Sequence, residues 1–373
     1  MCMRLRQQRR GVSPCMTGLV LRGALRSARG GSRRGNHSTT ATTIPATTSG
    51  LGKHLDSAAQ TELDARLEAV VGEFHAPVRF AIAYGSGVFR QKGYKPTAVG
   101  SKEAPMVDFL FGVTHPDHWH SLNIRQNRHH YSSLAYFGSK VVSNVQEKMG
   151  AGLYFNPDVH VAGLRIKYGV VSMDRLIRDL HDWETLYLAG RLQKPVKVLR
   201  TDARVTLANR RNLRASVRAA LLLLPSEFSE EELFCAIAGD FRMKMGENPH
   251  KVFNIVYSQM DSFRELYKPI IEDLPNVNYV SESQLVQDLD ARLRSQAVQK
   301  LPKHLHNKMY QYHQAALLRS GDAAASLAEI VRWPAIAQSL KGILTAGFSR
   351  ALIYAKNKLK KSFAARPPAQ TNK

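Results

Sequence analysis

Apolar positions come first in short uninterrupted runs and later at helical spacing. Residues 78–86, Val-Arg-Phe-Ala-Ile-Ala-Tyr-Gly-Ser, read as a largely buried strand ending in a Gly-Ser turn, and residues 106–113, Met-Val-Asp-Phe-Leu-Phe-Gly-Val, as a second. A polar stretch, residues 91–105, separates them. Helices are expected over 121–134 and 136–149, then a strand pair at 153–161 and 164–171. Ser172 reads as the N-cap of a helix whose apolar residues Met173, Leu176, Ile177, Leu180, Trp183 and Tyr187 recur every three or four positions. These elements make an α/β unit over residues 56–200.

Beyond residue 200 the pattern turns helical. A helix is expected at 207–224, and Ser229 with Glu232 three residues on is a capping box opening another that runs through Ile237. Residues 251–257 read as a strand, and 260–267 and 283–299 as helices. A second, mainly helical unit over 201–310 follows, and then a C-terminal region, 311–373. No repeat of solenoid period is visible.

Charge divides the chain further. Its 373 residues carry 53 Lys and Arg against 30 Asp and Glu, a net +23. Residues 1–55 hold ten basic side chains and no acid, and residues 347–373 hold seven and none, which leaves +6 for everything between. An evenly basic nucleic-acid surface is not what this distribution describes. The leading segment is Arg-rich, then rich in Ser, Thr and Gly, with only Leu19, Val20 and Leu21 as a short apolar stretch; that is the composition of a mitochondrial transit peptide. In the C-terminal segment Phe348, Leu352, Ala355, Leu359 and Phe363 form one stripe at 100° per residue, with Arg350, Lys356, Lys358, Lys360 and Lys361 on the flanks and back. Such a helix suits an anionic membrane surface, where each basic residue contributes about 1 kcal/mol. No window approaches about eighteen consecutive apolar residues, so a spanning helix is not expected. Cys2 and Cys15 fall in the presumed presequence and leave Cys235 alone, which excludes an intramolecular disulfide in the mature chain.

The candidate chemistry lies between the first two strands. Tyr84-Gly85-Ser86-Gly87 is a turn in which glycines let the backbone approach an anion, and the amides and Ser86 hydroxyl suit phosphate oxygens. Asp108 lies inside an otherwise apolar strand, where a carboxylate is costly unless it binds a metal, pairs with a base or leaves the sheet edge. His115, His118, His120, His129 and His130 lack the spacing of a zinc site, and the first three lie around Pro116 in an expected loop. Loop and pocket roles are favoured for them, and His130 with Tyr131 stands open between structural and catalytic. Arg191, Lys194 and Lys197 around Pro195 are either a solvated connector or phosphate contacts; Asp240 and Arg242 are either functional or an internal ion pair.

A phosphate-holding Gly-Ser after one strand and an acid on the next is the arrangement of the DNA polymerase β nucleotidyltransferase superfamily. Residues 80–113, then Trp119-His120-Ser121-Leu122-Asn123 with Asn127 and His130-Tyr131-Ser132, then Ile166-Lys167-Tyr168-Gly169-Val170, then residues 189–197 and Gly239-Asp240-Phe241-Arg242 closely resemble the mitochondrial phosphatidate cytidylyltransferases, also called translocator assembly and maintenance proteins. The resemblance runs from about Phe80 to Lys361. It implies a nucleotidyltransferase domain, then a winged-helix domain, and a CDP-diacylglycerol synthase that uses CTP and phosphatidic acid on the matrix face of the inner membrane, feeding cardiolipin synthesis. It also implies Mg²⁺ on Asp108, triphosphate on Ser86 and its turn, and phosphate charge on Lys167, Lys194 and Lys197; no nucleic-acid partner is expected. The interval from Ser86 to Asp108 is longer than the superfamily's, and Leu110 stands where a second acid is usual, with Asp158 on the following strand as the candidate replacement. The rival readings are a nucleotidyltransferase acting on RNA and a non-catalytic membrane scaffold.

Overall fold

The first of two sheets takes its order from two apolar runs that cannot face water on either side. In the computed structural model, which describes residues 57–89, 104–239, 249–312 and 320–346, β1 (Phe80–Tyr84) and β2 (Val107–Val113) are almost wholly buried. With β3 (Leu153–Val161), β4 (Leu164–Ser172) and β5 (Lys197–Arg200) they form a mixed sheet in the order β3-β4-β2-β1-β5. Only β2 and β4 run parallel, and β1–β2, β1–β5 and β3–β4 are antiparallel. The transit segment 1–55, the basic segment carrying Phe348, Leu352, Lys356, Leu359, Lys360 and Lys361, most of the polar stretch 91–105, and Asp240 with Arg242 lie outside the described residues.

Strand alternation gives the sheet two faces. Ala81, Ala83, Phe109, Phe111, Tyr168 and Val170 point to one, covered by Leu63, Leu67 and Val70 of α1 (Ser57–Gly72) and Trp119 of α2 (Pro116–Gln126). Phe80, Ile82, Leu110, Phe155 and Val171 point to the other, covered by α4 (Met173–Asp182), α5 (Tyr187–Leu192) and α6 (Ala203–Leu221). This second core continues through α7 (Glu230–Ala238), α9 (Met260–Glu272) and α12 (Ser320–Ala346), so residues on both sides of position 200 share one apolar interior. The capping box forms, Ser229 and Glu232 each bonding the other's backbone amide.

Several segments differ from the pattern-based expectation, each for a tertiary reason. Residues 251–257 are helical, within α8 (Pro249–Ser258); the β-branched Val252, Ile255 and Val256 recur at i, i+3 and i+4 and pack into the core as a helical stripe. Residues 283–299 begin as a strand, β8 (Gln284–Gln287), in which Leu285 and Gln287 are buried while Gln284 faces out. It pairs with β6 (Glu227–Ser229) and β7 (Val277–Tyr279) in a small antiparallel sheet, and Asp290 then caps α10 (Ala291–Gln299) by accepting from the Arg292 and Leu293 amides. The expected loop at Pro116 is the first turn of α2, where proline costs no hydrogen bond. That helix ends at Gln126, and residues 128–130 and 133–137 are two short 3-10 turns before α3 (Ser139–Lys148).

The expected helix from Met173 to Tyr187 breaks at Trp183, and the cause is Asp179. Its fully buried carboxylate accepts from the Thr185 amide (2.7 Å) and hydroxyl (2.9 Å), the Leu186 amide (3.1 Å), and the Leu188 and Ala189 amides (2.9 and 3.1 Å). Five donors on one carboxylate offset the cost of burying its charge, and they hold Trp183 and Leu186 at the left-handed φ values of 54° and 53°. Asp179→Ala should therefore lower unfolding free energy by about 4 kcal/mol, read as a shift in urea midpoint, whereas removing the exposed Asp174 should cost under about 1 kcal/mol.

Helix α12 is strapped across the turn between α3 and β3. Gln338 donates to the Leu153 carbonyl and accepts from the Ala151 amide, both at 3.2 Å, and the fully buried Lys341 donates to the carbonyls of Gln146 (3.2 Å) and Met149. Burial lowers the Lys341 ammonium to about 7, with Glu147 opposing and Arg175 reinforcing the shift. The unfolded chain keeps this proton up to its ordinary value of 10.5, so between about pH 7 and 10.5 the unfolded state binds more protons and stability rises with pH. Thermal unfolding across that window should show a slope of up to about 1.4 kcal/mol per pH unit that the Lys341→Met variant lacks.

Candidate active site

Register places three polar side chains side by side. Tyr84 pairs with Asp108 across β1 and β2, and Asp108 with Lys167 across β2 and β4, so all three project from the same face at one end of the sheet. The Lys167 ammonium stands 3.5 Å from the Asp108 carboxylate, both about three-quarters buried. It also rests 4.3 Å from the centroid of the Phe155 ring. The ring reaches that position because residue 169, two places along the same face, is glycine: a Cβ there would lie 2.5 Å from the ring.

The glycine turn closes against this pair. Gly85 has φ of 86°, its carbonyl accepts from the Val88 and Phe89 amides at 3.1 and 3.0 Å, and the position of a Cβ on it is 3.2 Å from an Asp108 carboxylate oxygen. At Gly87 a Cβ would meet the Met106 carbonyl at 2.9 Å and the Val107 Cα at 3.0 Å, so the turn packs backbone to backbone on the start of β2. The structure thus brings Tyr84, Gly85, Ser86, Gly87, Asp108 and Lys167 together.

A second cation arrives from α5. The Arg191 guanidinium lies 4.4 Å from the Tyr84 ring centroid. Burial pushes the Tyr84 hydroxyl up to about 12, with Asp108 adding to the rise while Arg191 and Lys167 counter it. The sequence leaves Arg191 open between a solvated connector and a phosphate contact; its place over Tyr84 follows from the Asp179 turn, which no local pattern signals. Lys194 and Lys197 do not join the group. Lys194 folds back to the Gly190 carbonyl at 3.2 Å. Lys197 pairs in register with Ala83, on the opposite face, and bonds Asp64 of α1 at 2.6 Å.

No group of three His, Cys, Asp or Glu side chains arranged for a metal occurs among the described residues. Asp158, the candidate second carboxylate, sits in the β3 bulge at φ of 57° with its carboxylate 2.5 Å from Arg165 as an ion pair. Leu110, two residues beyond Asp108 on the same face, is 2 % exposed within the core, so a second acid there would be buried beneath the site rather than in it.

Two of the five histidines, His120 and His130, are buried, while His115, His118 and His129 are exposed. His120 is fully buried, with Nδ1 2.8 Å from the Tyr131 hydroxyl and Nε2 2.9 Å from Gln146 Oε1. Because the Glu147 carboxylate takes the Gln146 amide N–H at 2.8 Å, Gln146 Oε1 can only accept; His120 therefore carries its proton on Nε2 and accepts from Tyr131. Burial lowers its pKa to about 4, which keeps the ring neutral. Asn123 donates to the Tyr131 and Tyr168 hydroxyls at 2.9 and 3.0 Å, and His130 Nδ1 lies 3.0 Å from the Tyr168 hydroxyl. His130 and Tyr131 thus serve a buried network behind the sheet.

A carboxylate, two cations and a glycine turn thus lie together at one end of the mixed sheet of an α/β protein. The family model described as phosphatidate cytidylyltransferase, mitochondrial, matches residues 67–361. Curated proteins of that name are 40% identical in Mus musculus, over 79% of this chain and 94% of that one, and 36% identical in Schizosaccharomyces pombe, over 82% and 86%. The relative in Saccharomyces cerevisiae is 48% identical over 57% of each chain. The chain belongs to the mitochondrial phosphatidate cytidylyltransferase family. No described helix is long and apolar enough to cross a membrane.

Gly87→Ala is expected to destabilise the fold by about 2 kcal/mol, because the added methyl meets backbone that cannot yield. Gly72→Ala, into open space at the end of α1, should leave the melting temperature within a degree or two of the parent, roughly a few tenths of a kcal/mol.

Proposed function

We propose that this enzyme transfers CMP from CTP to phosphatidic acid, giving CDP-diacylglycerol and pyrophosphate. The observation that carries the reading is the Asp108–Lys167 pair packed against the Gly85–Ser86 turn, in a chain that matches the family from residue 67 to 361. A phosphate monoester oxygen of phosphatidic acid attacks the α-phosphorus of CTP, the new P–O bond forms as the bond to the β-phosphate bridging oxygen breaks, and pyrophosphate leaves in line. The monoester's second pKa is about 6, so the nucleophile is already anionic at neutral pH and needs no strong base. Positioning and charge neutralisation remain as the protein's work.

Ser86 and the turn amides hold the terminal phosphates, while Lys167 and Arg191, on either side of Tyr84, balance triphosphate charge. Asp108 would hold Mg²⁺, which supplies further neutralisation of the triphosphate; a single carboxylate suits an ion whose remaining ligands are water and nucleotide phosphates. The sheet with its turn is read as a DNA polymerase β-like nucleotidyltransferase domain. The three-stranded sheet with α6 to α10 is read as the winged-helix-like part, and 347–373 as the amphipathic membrane helix. The enzyme acts as a peripheral protein on the matrix side of the inner membrane, supplying cardiolipin synthesis after removal of an N-terminal transit segment.

Asp108→Asn should abolish formation of CDP-diacylglycerol from radiolabelled CTP with the melting temperature unchanged. Full activity in that variant, or transfer of label to RNA offered as a rival acceptor, would sink the assignment.

A further inference from the structure

On the α2 side of the sheet, facing away from Asp108, an open pocket of about 510 Å³ is lined by Arg125, Arg128, His129, Ser132, Ser133 and Tyr136 and by no carboxylate. Its walls are built rather than incidental. Asn127 turns back to the Asn123 side chain at 2.9 Å where α2 ends, and Tyr131, which also lines the pocket, is held by the buried network of His120, Asn123 and Tyr168. Arg128 lies 4.0 Å over the Tyr136 ring and donates one guanidinium nitrogen, Nη1, to the Ser132 carbonyl at 3.4 Å. Its Nη2 is buried and meets no acceptor among the described residues. A buried charged donor left without an acceptor is costly, and an anion in the pocket would supply one.

The rim points to where that anion resides. Tyr136 and Phe137 are adjacent, 81% and 74% exposed, and stand beside Arg125 and Arg128. Two protruding aromatic rings next to cations are poorly placed in water and well placed at the boundary between lipid headgroups and acyl chains, where amphipathic rings partition and basic side chains meet anionic headgroups. The nearby carboxylate of Asp117 is taken up by the Ser139 hydroxyl at 2.7 Å.

We propose that this pocket binds the phosphate headgroup of an anionic bilayer phospholipid, with Tyr136 and Phe137 entering the interface, as a docking site separate from the Asp108 site. It anchors the folded body of the enzyme directly and does not depend on the assignment of Asp108 or on the basic C-terminal segment.

The test is co-sedimentation of the full chain with phosphatidylcholine vesicles, with and without phosphatidylglycerol, an anionic lipid that is not the acceptor assigned to the Asp108 site. Arg125→Ala with Arg128→Ala, and separately Tyr136→Ser with Phe137→Ser, should each weaken binding to the anionic vesicles by roughly tenfold while CTP binding is unchanged. Arg210→Ala with Arg211→Ala, an exposed arginine pair on α6, should leave binding within about twofold of the parent. If loss of Arg128 lowers the melting temperature, Arg125→Ala and the aromatic pair carry the test, since their side chains are exposed. Unchanged binding in the pocket variants, or an equal loss in the α6 variant, overturns the proposal. So does binding of inorganic phosphate that Arg125→Ala with Arg128→Ala abolishes while vesicle binding of that variant stays at the parent's level, which would mark a free-phosphate site.

Discussion

The Asp179 carboxylate is the point on which the arrangement of the site depends. A charge buried without solvent survives only when donors surround it, and the nearest source of donors is the backbone of the segment that follows. Gathering the amides of residues 185, 186, 188 and 189 ends α4, reverses the chain through two left-handed residues and starts α5 in a new direction. Two consequences reach far from Asp179 itself. Arg191, on α5, comes to lie over Tyr84, and the Ala189 carbonyl meets Asn212, which also accepts from Trp183 and Gln193. Tyr267 completes the junction by donating to the Gln193 carbonyl at 2.6 Å. The helical part beyond residue 200 is thus bonded to the same turn that positions a cation at the site.

A second constraint is the geometry of the sheet. Cross-strand register puts Tyr84, Asp108 and Lys167 on one face, and the pleat puts their neighbours Ala83, Phe109 and Tyr168 on the other. The two faces do different work. One carries the charged group at its end, above the core that contains Leu110; the other carries the Tyr168 hydroxyl into a hydrogen-bonded layer with Asn123 and His130. Side chains adjacent in sequence, Lys167 and Tyr168, therefore face Asp108 and the buried hydrogen-bonded layer respectively. In that layer His120 has both ring nitrogens occupied by protein partners.

Family membership and this geometry meet at a modest set of groups. For a nucleophile that arrives already ionised, what remains for a protein to supply is the holding of two polyanions in line and the screening of their charge. Leu110, two residues beyond Asp108 on the same strand, serves the core beneath that group.

Features carried within a few residues of one another were legible in the chain alone. The strands at 80–84, 107–113, 153–161 and 164–172, the Ser172 cap, the Ser229–Glu232 box, the Gly85–Ser86–Gly87 turn and the isolated Asp108 are of this kind, because alternation, capping and turn chemistry act over short separations. Lys167 was visible through resemblance to a family. Only the folded structure decided that Lys197 faces away and Lys194 folds back on Gly190 while Arg191 reaches Tyr84, that the helix from Met173 breaks at Trp183, that residues 284–287 join a sheet and 249–258 a helix, and that Lys341 is buried. Several of those outcomes depend on partners remote in sequence, Asp64 for Lys197, a pair of strands for Leu285, the Gln146 and Met149 carbonyls for Lys341, whereas the break at Trp183 follows from Asp179 four residues before it. Local preference is worth tenths of a kcal/mol per residue, and a buried charge or a strand register is worth several, so where the two disagreed the long-range term prevailed.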